Sequence, residues 1–239
     1  AEFHELMGRA AASGDYRLPR REGSDHITPV EHMTATNMTR VEAIGHSDEG
    51  LINTADPDFL SAAEMEGRRQ AYEYARFLVE QVPGYERASL VSMSTQIGVR
   101  EIRRVYGDYR LSGDDVMAAR QFDDQIGLSG APLEDHHPGG DTKWVYLPDG
   151  TAVGIPYRTL TVRDAANVLM AGRLFSATHD AQAAVRSMAQ CMAMGQAAGT
   201  AAALSIRHGD DPRTVPWPAL RDGLLADGAV MTMDRAEAA

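Results

Sequence analysis

The feature that most constrains this chain is a run of 20 residues, Ser187 to Ile206, that holds no charge between Arg186 and Arg207. A helix of that length is nearly enough to cross a bilayer. The composition argues otherwise: the run contains 7 Ala and 2 Gly, and Ser187, Gln190, Gln196, Thr200 and Ser205 are polar. A buried helix of a soluble protein fits better, because a helix without a charged face must be covered by other chain. Cys191, Gly195, Gly199 and Ala203 are spaced by four, so they share one face. All are small, and that face is a flat seam. Each interior Gly costs a helix about 1 kcal/mol relative to Ala. Two on one seam imply a close approach, and the seam is expected to face that contact or an underlying sheet, not solvent. Replacing Gly199 by Leu is then expected to break folding or ligand binding. Cys191 reads as a small buried hydrophobe rather than a redox thiol.

Composition removes several classes of function. The 239 residues carry 23 Lys and Arg against 34 Asp and Glu, a net charge of −11. Nucleic-acid backbones call for clustered Lys and Arg, so an acidic chain of this kind is a poor candidate for binding them. One cysteine excludes a disulfide framework and a cysteine-rich zinc site. Ala1 to Ala10 includes two Glu, a His and an Arg, and no apolar leader follows. A soluble, cytoplasmic protein is the expectation.

Local patterns give an outline of elements. Glu2 to Ala12 has helical character, and residues 14–38 are punctuated by Pro19, Gly23 and Pro29. Ser61-Ala62-Ala63-Glu64 has the spacing of a capping box, predicting a helix over 62–82 that packs through Met65, Tyr72, Leu78, Val79 and Val82 and stops at Pro83-Gly84. Residues 88–106 alternate as a strand would, and Gly107-Asp108 turns the chain. Ser112-Gly113-Asp114-Asp115 caps a short helix reaching about Gln121. Pro148-Asp149-Gly150 joins two apolar runs, predicting a hairpin over 144–160. Asn167 to Ala171 is a continuous apolar run, as in a strand buried on both faces of a parallel sheet.

Three segments together resemble a known family. They are Ile97-Gly98-Val99-Arg100-Glu101-Ile102-Arg103-Arg104, Ile155-Pro156-Tyr157-Arg158-Thr159-Leu160, and Ala171-Gly172-Arg173-Leu174-Phe175-Ser176-Ala177-Thr178-His179, with Gly195-Gln196-Ala197-Ala198-Gly199 following in the uncharged helix. In this order and spacing they resemble the FAD-dependent oxidoreductases. That family is placed in the glutathione-reductase-like flavoprotein superfamily, distant from the succinate dehydrogenase and fumarate reductase flavoproteins. The likeness spans about residues 35–230. It implies an α+β or α/β fold: antiparallel substrate-domain hairpins over 1–165, then the last strand and long helix of a Rossmann-like FAD domain over 166–239. The chain departs from the family in one respect. No G-x-G-x-x-G occurs in it, and that turn normally binds the FAD pyrophosphate.

The resemblance therefore implies the C-terminal part of a flavoenzyme, completed by a complementary chain or segment that carries the missing motif. Alone, residues 1–239 are expected to bind FAD weakly and to aggregate through strand 167–171. The resemblance further implies that the long helix points its N-terminus at the N1–C2=O edge of the flavin. Free N–H groups of Ser187 and Met188, with Arg186 beside them, would stabilise negative charge there. Gly172 would let the strand end approach the cofactor, and Arg173 would reach its pyrophosphate. Gly195, Gln196 and Gly199 complete the expected cofactor contacts. Arg100, Tyr157, Arg158 and His179 are the expected substrate-side residues. Arginines suit a carboxylate or other oxygen-rich small molecule, and a Tyr or His suits a proton acceptor when a C–H bond is oxidised. Arg103 and His136 are further polar candidates. Asp135-His136-His137 is a weak metal signal, because no distant third ligand accompanies it. The alternative reading is a non-catalytic flavoprotein-like subunit or remnant that acts as a binding partner.

Overall fold

The computed structural model describes residues 2–42, 46–47, 50–51, 53–101, 103–135, 142–209 and 211–233. They fall into two compact units, the first formed by 1–102 with 136–142 and the second by 103–135 with 143–239. The expected boundary at 165/166 lies inside the second unit.

The first unit is built on two helices. Helix α1 covers Glu2–Ser13. Strands β1 (Ser24–Ile27) and β2 (Thr34–Asn37) pair antiparallel, as do the two-residue strands β3 (His46–Ser47) and β4 (Gly50–Leu51). Helix α2 covers Pro57–Gln81. It starts earlier than the capping-box spacing implies. Asp56 is the N-cap, accepting from the Asp58 N–H, and Pro57 occupies the first turn, where its missing N–H costs nothing. Ser61 is already inside the helix, donating to the Pro57 carbonyl at 2.7 Å. The buried face also differs from the expected stripe. Ala63, Gly67, Gln70, Tyr74, Phe77 and Leu78 face the core, whereas Met65 and Tyr72 are 63% and 66% exposed. Met7, Tyr16, Leu18, Met38, Tyr74 and Phe77 form this unit's core.

The described part of 88–106 forms no strand. Arg100 and Arg104 alternate with Glu101 and Arg103, so neither side offers an apolar face to bury. Alternation without such a face does not drive pairing.

The second unit is an α+β arrangement. Helix α3 (Gly113–Met117) carries a complete capping box between Ser112 and Asp115. It ends short of Gln121, because Ala119 turns into the left-handed region at φ 46. Strands β5 (Gln125–Ser129), β6 (Leu133–Asp135), β7 (Lys143–Val145) and β8 (Val153–Pro156) follow. The expected hairpin does not form. Pro148-Asp149-Gly150 does turn, with the Thr151 N–H on the Pro148 carbonyl at 3.2 Å. Its flanks, however, go to different partners: β7 pairs with β6 and β8 with β5. The fully buried β8 finds an apolar mate in β5, which an adjacent but exposed β7 cannot supply.

The run 167–171 is not a buried strand either. Asn167 has φ 55 and Val168 is 38% exposed. Leu169 makes only an isolated bridge to Thr161, so no ladder covers the run on either side. The described strands form four two-stranded antiparallel sheets.

Helices α4 (His179–Val185), α5 (Met188–His208) and α6 (Trp217–Ala226) complete the unit. Gly209, at φ 72, closes α5 in the left-handed conformation that favours glycine. The core joins Leu111, Ile126, Val153, Ile155, Leu160 and Phe175 to Ala181, Val185, Met194, Ala197, Ala201, Leu220 and Leu224. Among the described residues, no helix is long and apolar enough to cross a membrane.

Candidate functional site

The junction between α4 and α5 gathers several of the expected residues. The chain straightens at Ser187 (φ −67, ψ 160), and α5 begins at Met188. The Ser187 hydroxyl makes no capping bond. Cys191 N–H is the first to bond back, to the Ser187 carbonyl at 3.0 Å. The amides of Met188, Ala189 and Gln190 therefore precede the helical ladder. The Gln190 side-chain oxygen is buried in this first turn and has no hydrogen-bond partner among the described residues. Met188 itself is 79% exposed.

Cys191 ties the neighbouring segments to this turn. Its thiol donates to the Arg186 carbonyl at 3.4 Å. Burial pushes the thiol pKa up, and the positive charge of Arg173 only partly offsets this. An un-ionised, half-buried thiol is a poor nucleophile. A Cβ placed on Gly172 would lie 4.0 Å from this sulfur, and Gly172 has φ 78. That conformation is unfavourable for a residue with a side chain, so glycine suits the place where the Gly172–Leu174 turn meets α5. The Gly172 backbone, the Arg173 charge and the Arg186 carbonyl thus meet at the Cys191 thiol, next to the Ser187–Met188 helix start.

Arg186 does not present its charge to the open side. Its side chain is only 9% exposed and pairs with Glu134 at 3.6 Å. It also donates to the Gln182 amide oxygen and the Glu134 carbonyl, both at 3.5 Å. It fastens the helix junction to β6.

The small seam faces away from the sheet, contrary to expectation. Met194, Ala197, Ala201 and Ser205 form the buried face of α5. Gly195, Gln196, Gly199 and Ala203 are exposed. Among the described residues, a Cβ at Gly195 or Gly199 would meet nothing within 4 Å. The reason is that both faces are apolar and small, so spacing alone cannot choose between them. Met192 and Ile206, 70% and 83% exposed, extend the same open stripe from Met188.

The substrate-side candidates have different surroundings. Arg100 lies in the first unit and is exposed. Tyr157 is 6% exposed, and its hydroxyl donates to the Pro212 carbonyl at 2.6 Å. Burial, assisted by the charge of Asp211, lifts its pKa to about 12. The phenol, expected as a proton acceptor, is thus held in the core with its proton on a backbone carbonyl. Arg158 grips Asp124 through Nε and a terminal nitrogen at 2.9 and 3.1 Å. His179 is the exposed first residue of α4, where Thr178 provides the cap. His136 and His137 lie outside the described residues. Among the described residues no three His, Cys, Asp or Glu side chains are grouped to hold a metal.

Arg158 belongs to a cluster that sequence reasoning did not assemble. Its guanidinium stands 5.2 Å from the Tyr109 ring centroid, and Tyr109 meets Phe122 edge-on at 5.2 Å. The Tyr109 hydroxyl donates to Asp115 at 2.9 Å, and Arg120 bonds the other Asp115 oxygen at 2.9 Å. Burial opposes ionisation of Asp115. Bonds from the Ser112 amide and hydroxyl, from Arg120 and from Tyr109 overcome it, and the net result is a lowered pKa. The only advance signal was the Ser112 to Asp115 cap spacing, since Arg120 and Asp124 are ordinary charges along the chain.

A family model described as FAD dependent oxidoreductase matches residues 2–224. No curated protein and no solved structure matches the chain. The motifs at 97–104, 155–160 and 171–179 fall within that match, which covers both units, and the chain belongs to the FAD-dependent oxidoreductase family.

Proposed function

We propose that this chain provides the flavin-edge and substrate-side part of an FAD-dependent oxidoreductase that takes hydride from a small organic molecule. A complementary chain or segment with a G-x-G-x-x-G turn completes the enzyme. The observation that carries this reading is the start of α5, where amides ahead of the helical ladder, a buried unpartnered Gln190 oxygen and an open apolar stripe occur together.

FAD fits the residues at this junction. Buried polar atoms are normally paired, so the Gln190 amide favours a polar partner at the first turn. The Met188 and Ala189 amides, at the positive end of the helix dipole, favour an electron-rich carbonyl edge. When bound, FAD supplies hydride acceptance at N5. The chain's own residues do the remaining work. Ser187, Met188 and Gln190 hold the polar edge of the ring, and Gly172 admits it closely. Arg173 offers charge for the pyrophosphate, and the Gly195–Gly199 seam with Gln196 gives the ligand and the complementary segment a surface without side-chain obstruction. Arg158 and His179 stand on the substrate side. Arg186 acts through position, by holding the junction on Glu134.

The test is flavin content and redox potential in the enzyme assembled from this chain and the complementary segment. Met188→Pro removes one of these amide donors at the first helical position, where the geometry of proline is allowed. It is expected to lower the flavin midpoint potential. An unchanged potential and flavin spectrum would remove α5 from the ring edge.

A further inference from the structure

We propose that Tyr106, Arg110 and Arg163 form a binding patch for a small oxyanion, the carboxylate or phosphate group of a soluble molecule. This inference is independent of the flavin reading.

The backbone brings the three residues onto neighbouring stretches. Residues 105–111 run beside 174–178, with Val105 N–H on the Leu174 carbonyl at 2.9 Å and Thr178 N–H on the Leu111 carbonyl at 2.8 Å. On the other side, Arg163 N–H bonds the Tyr106 carbonyl at 2.7 Å. Both guanidiniums are then anchored on this framework. Arg110 donates through Nε to the Ala177 carbonyl at 3.3 Å and stands 5.7 Å from the Tyr106 ring centroid. Arg163 donates to the Gly107 carbonyl at 3.4 Å. Both arginines are exposed, and Tyr106 is 66% exposed.

Neither arginine of this pair has a carboxylate counter-ion among the described residues. In the same unit Arg120, Arg158, Arg186 and Arg213 each bridge a carboxylate. Among the described residues, Arg110 and Arg163 make only the contacts to carbonyls and a ring given above. Asp108, between Tyr106 and Arg110, is already engaged by Arg213 at 3.1 Å and Thr161 at 2.8 Å. Asp164, next to Arg163, makes no ion pair with it. Two uncompensated positive charges persist here on a chain of net charge −11. A guanidinium has five N–H donors, and each anchor uses one. The anchors also restrict side chains that otherwise lose much rotamer entropy on binding. Oxyanions match the remaining donors with charge-assisted, two-point geometry.

Calorimetric titration of the full chain with inorganic phosphate, and separately with succinate, tests this at ionic strength held constant with sodium chloride. Saturable binding of at least one is expected, and the preferred ligand identifies the oxyanion. Arg110→Gln and Arg163→Gln should each weaken it at least about tenfold with melting temperature unchanged. Arg9→Gln, an exposed arginine on α1, should bind as the parent does. A response that does not saturate, or one that is the same in all three variants, would overturn the assignment.

Discussion

At the scale of single residues, the second unit is held by a few committed polar groups. Tyr157→Phe leaves the Pro212 carbonyl without its buried donor. Losing a bond of this kind costs about 1–3 kcal/mol. The expected outcome is a lower melting temperature with no change in the pH dependence of activity, because the phenol proton is committed to that carbonyl. Asp115 gives the opposite dependence. Its carboxyl titrates below its unfolded value, since the bonds from Ser112, Arg120 and Tyr109 outweigh burial. The stability it confers is complete above the unfolded carboxylate pKa of about 4 and is lost as pH falls through the lower folded value. Melting curves between neutral pH and pH 3 should therefore show a steeper acid limb for the parent than for Asp115→Asn. Equal slopes would mean that the cluster does not favour the ionised form. Tyr157 and Arg158 are neighbours in one motif, yet one packs the core and the other joins a surface ion pair. Residue type gave both as polar candidates; only burial separates them.

At the scale of elements, α5 shows what a helical pattern does and does not say. The uncharged run marks the helix to within two residues of its observed Met188 start and His208 end. It does not choose the buried face. The open surroundings of Gly199 revise the expectation for Gly199→Leu. The isolated chain should fold normally, and Gly199→Ala should stabilise it by about 1 kcal/mol through helix propensity. On the proposed reading, flavin incorporation into the assembled enzyme should still fall in the leucine variant, because the added side chain would obstruct the seam. Reduced melting temperature of the isolated leucine variant would place a packed partner on that face. Gly107 is the contrasting case. A Cβ there would meet Ser176 Cβ and the Thr161 carbonyl at 2.8 Å and the Arg158 carbonyl at 2.9 Å. Backbone oxygens cannot swing aside, so Gly107→Ala is expected to destabilise the unit by about 1–3 kcal/mol. Circular dichroism melts decide it. The same logic explains the missed hairpin: a turn such as Pro148-Asp149-Gly150 is legible locally, whereas the register partners of β7 lie 8–12 residues away along the chain and those of β8 lie 24–31 away.

At the scale of the whole molecule, Met188, Met192, Gly195, Gly199, Ala203 and Ile206 form an exposed apolar stripe along α5. Exposed apolar patches of this kind promote association. Residues 1–239 alone are expected to bind FAD weakly and to self-associate with rising concentration, through α5 rather than through 167–171. Co-expression with a segment carrying the dinucleotide-binding turn should suppress both effects. A monomeric yellow protein with stoichiometric flavin from this chain alone would refute the need for a complement.

Much was legible in order along the chain: the motifs that mark the FAD-dependent oxidoreductase family, the two long helices, the Ser112 cap and the turn at 148–150. These depend on spacing within one or two helical turns or one tight bend, and near neighbours determine them. Tertiary structure decided the rest. It paired β8 with β5, left 88–106 and 167–171 without ladders, buried the Tyr157 hydroxyl and turned the glycine seam of α5 outward. It also brought Tyr109, Asp115, Arg120, Asp124 and Arg158 into one cluster. Each of those outcomes depends on which distant residues supply an apolar surface or a counter-charge, and the free energy of burial and pairing is settled only when those partners meet.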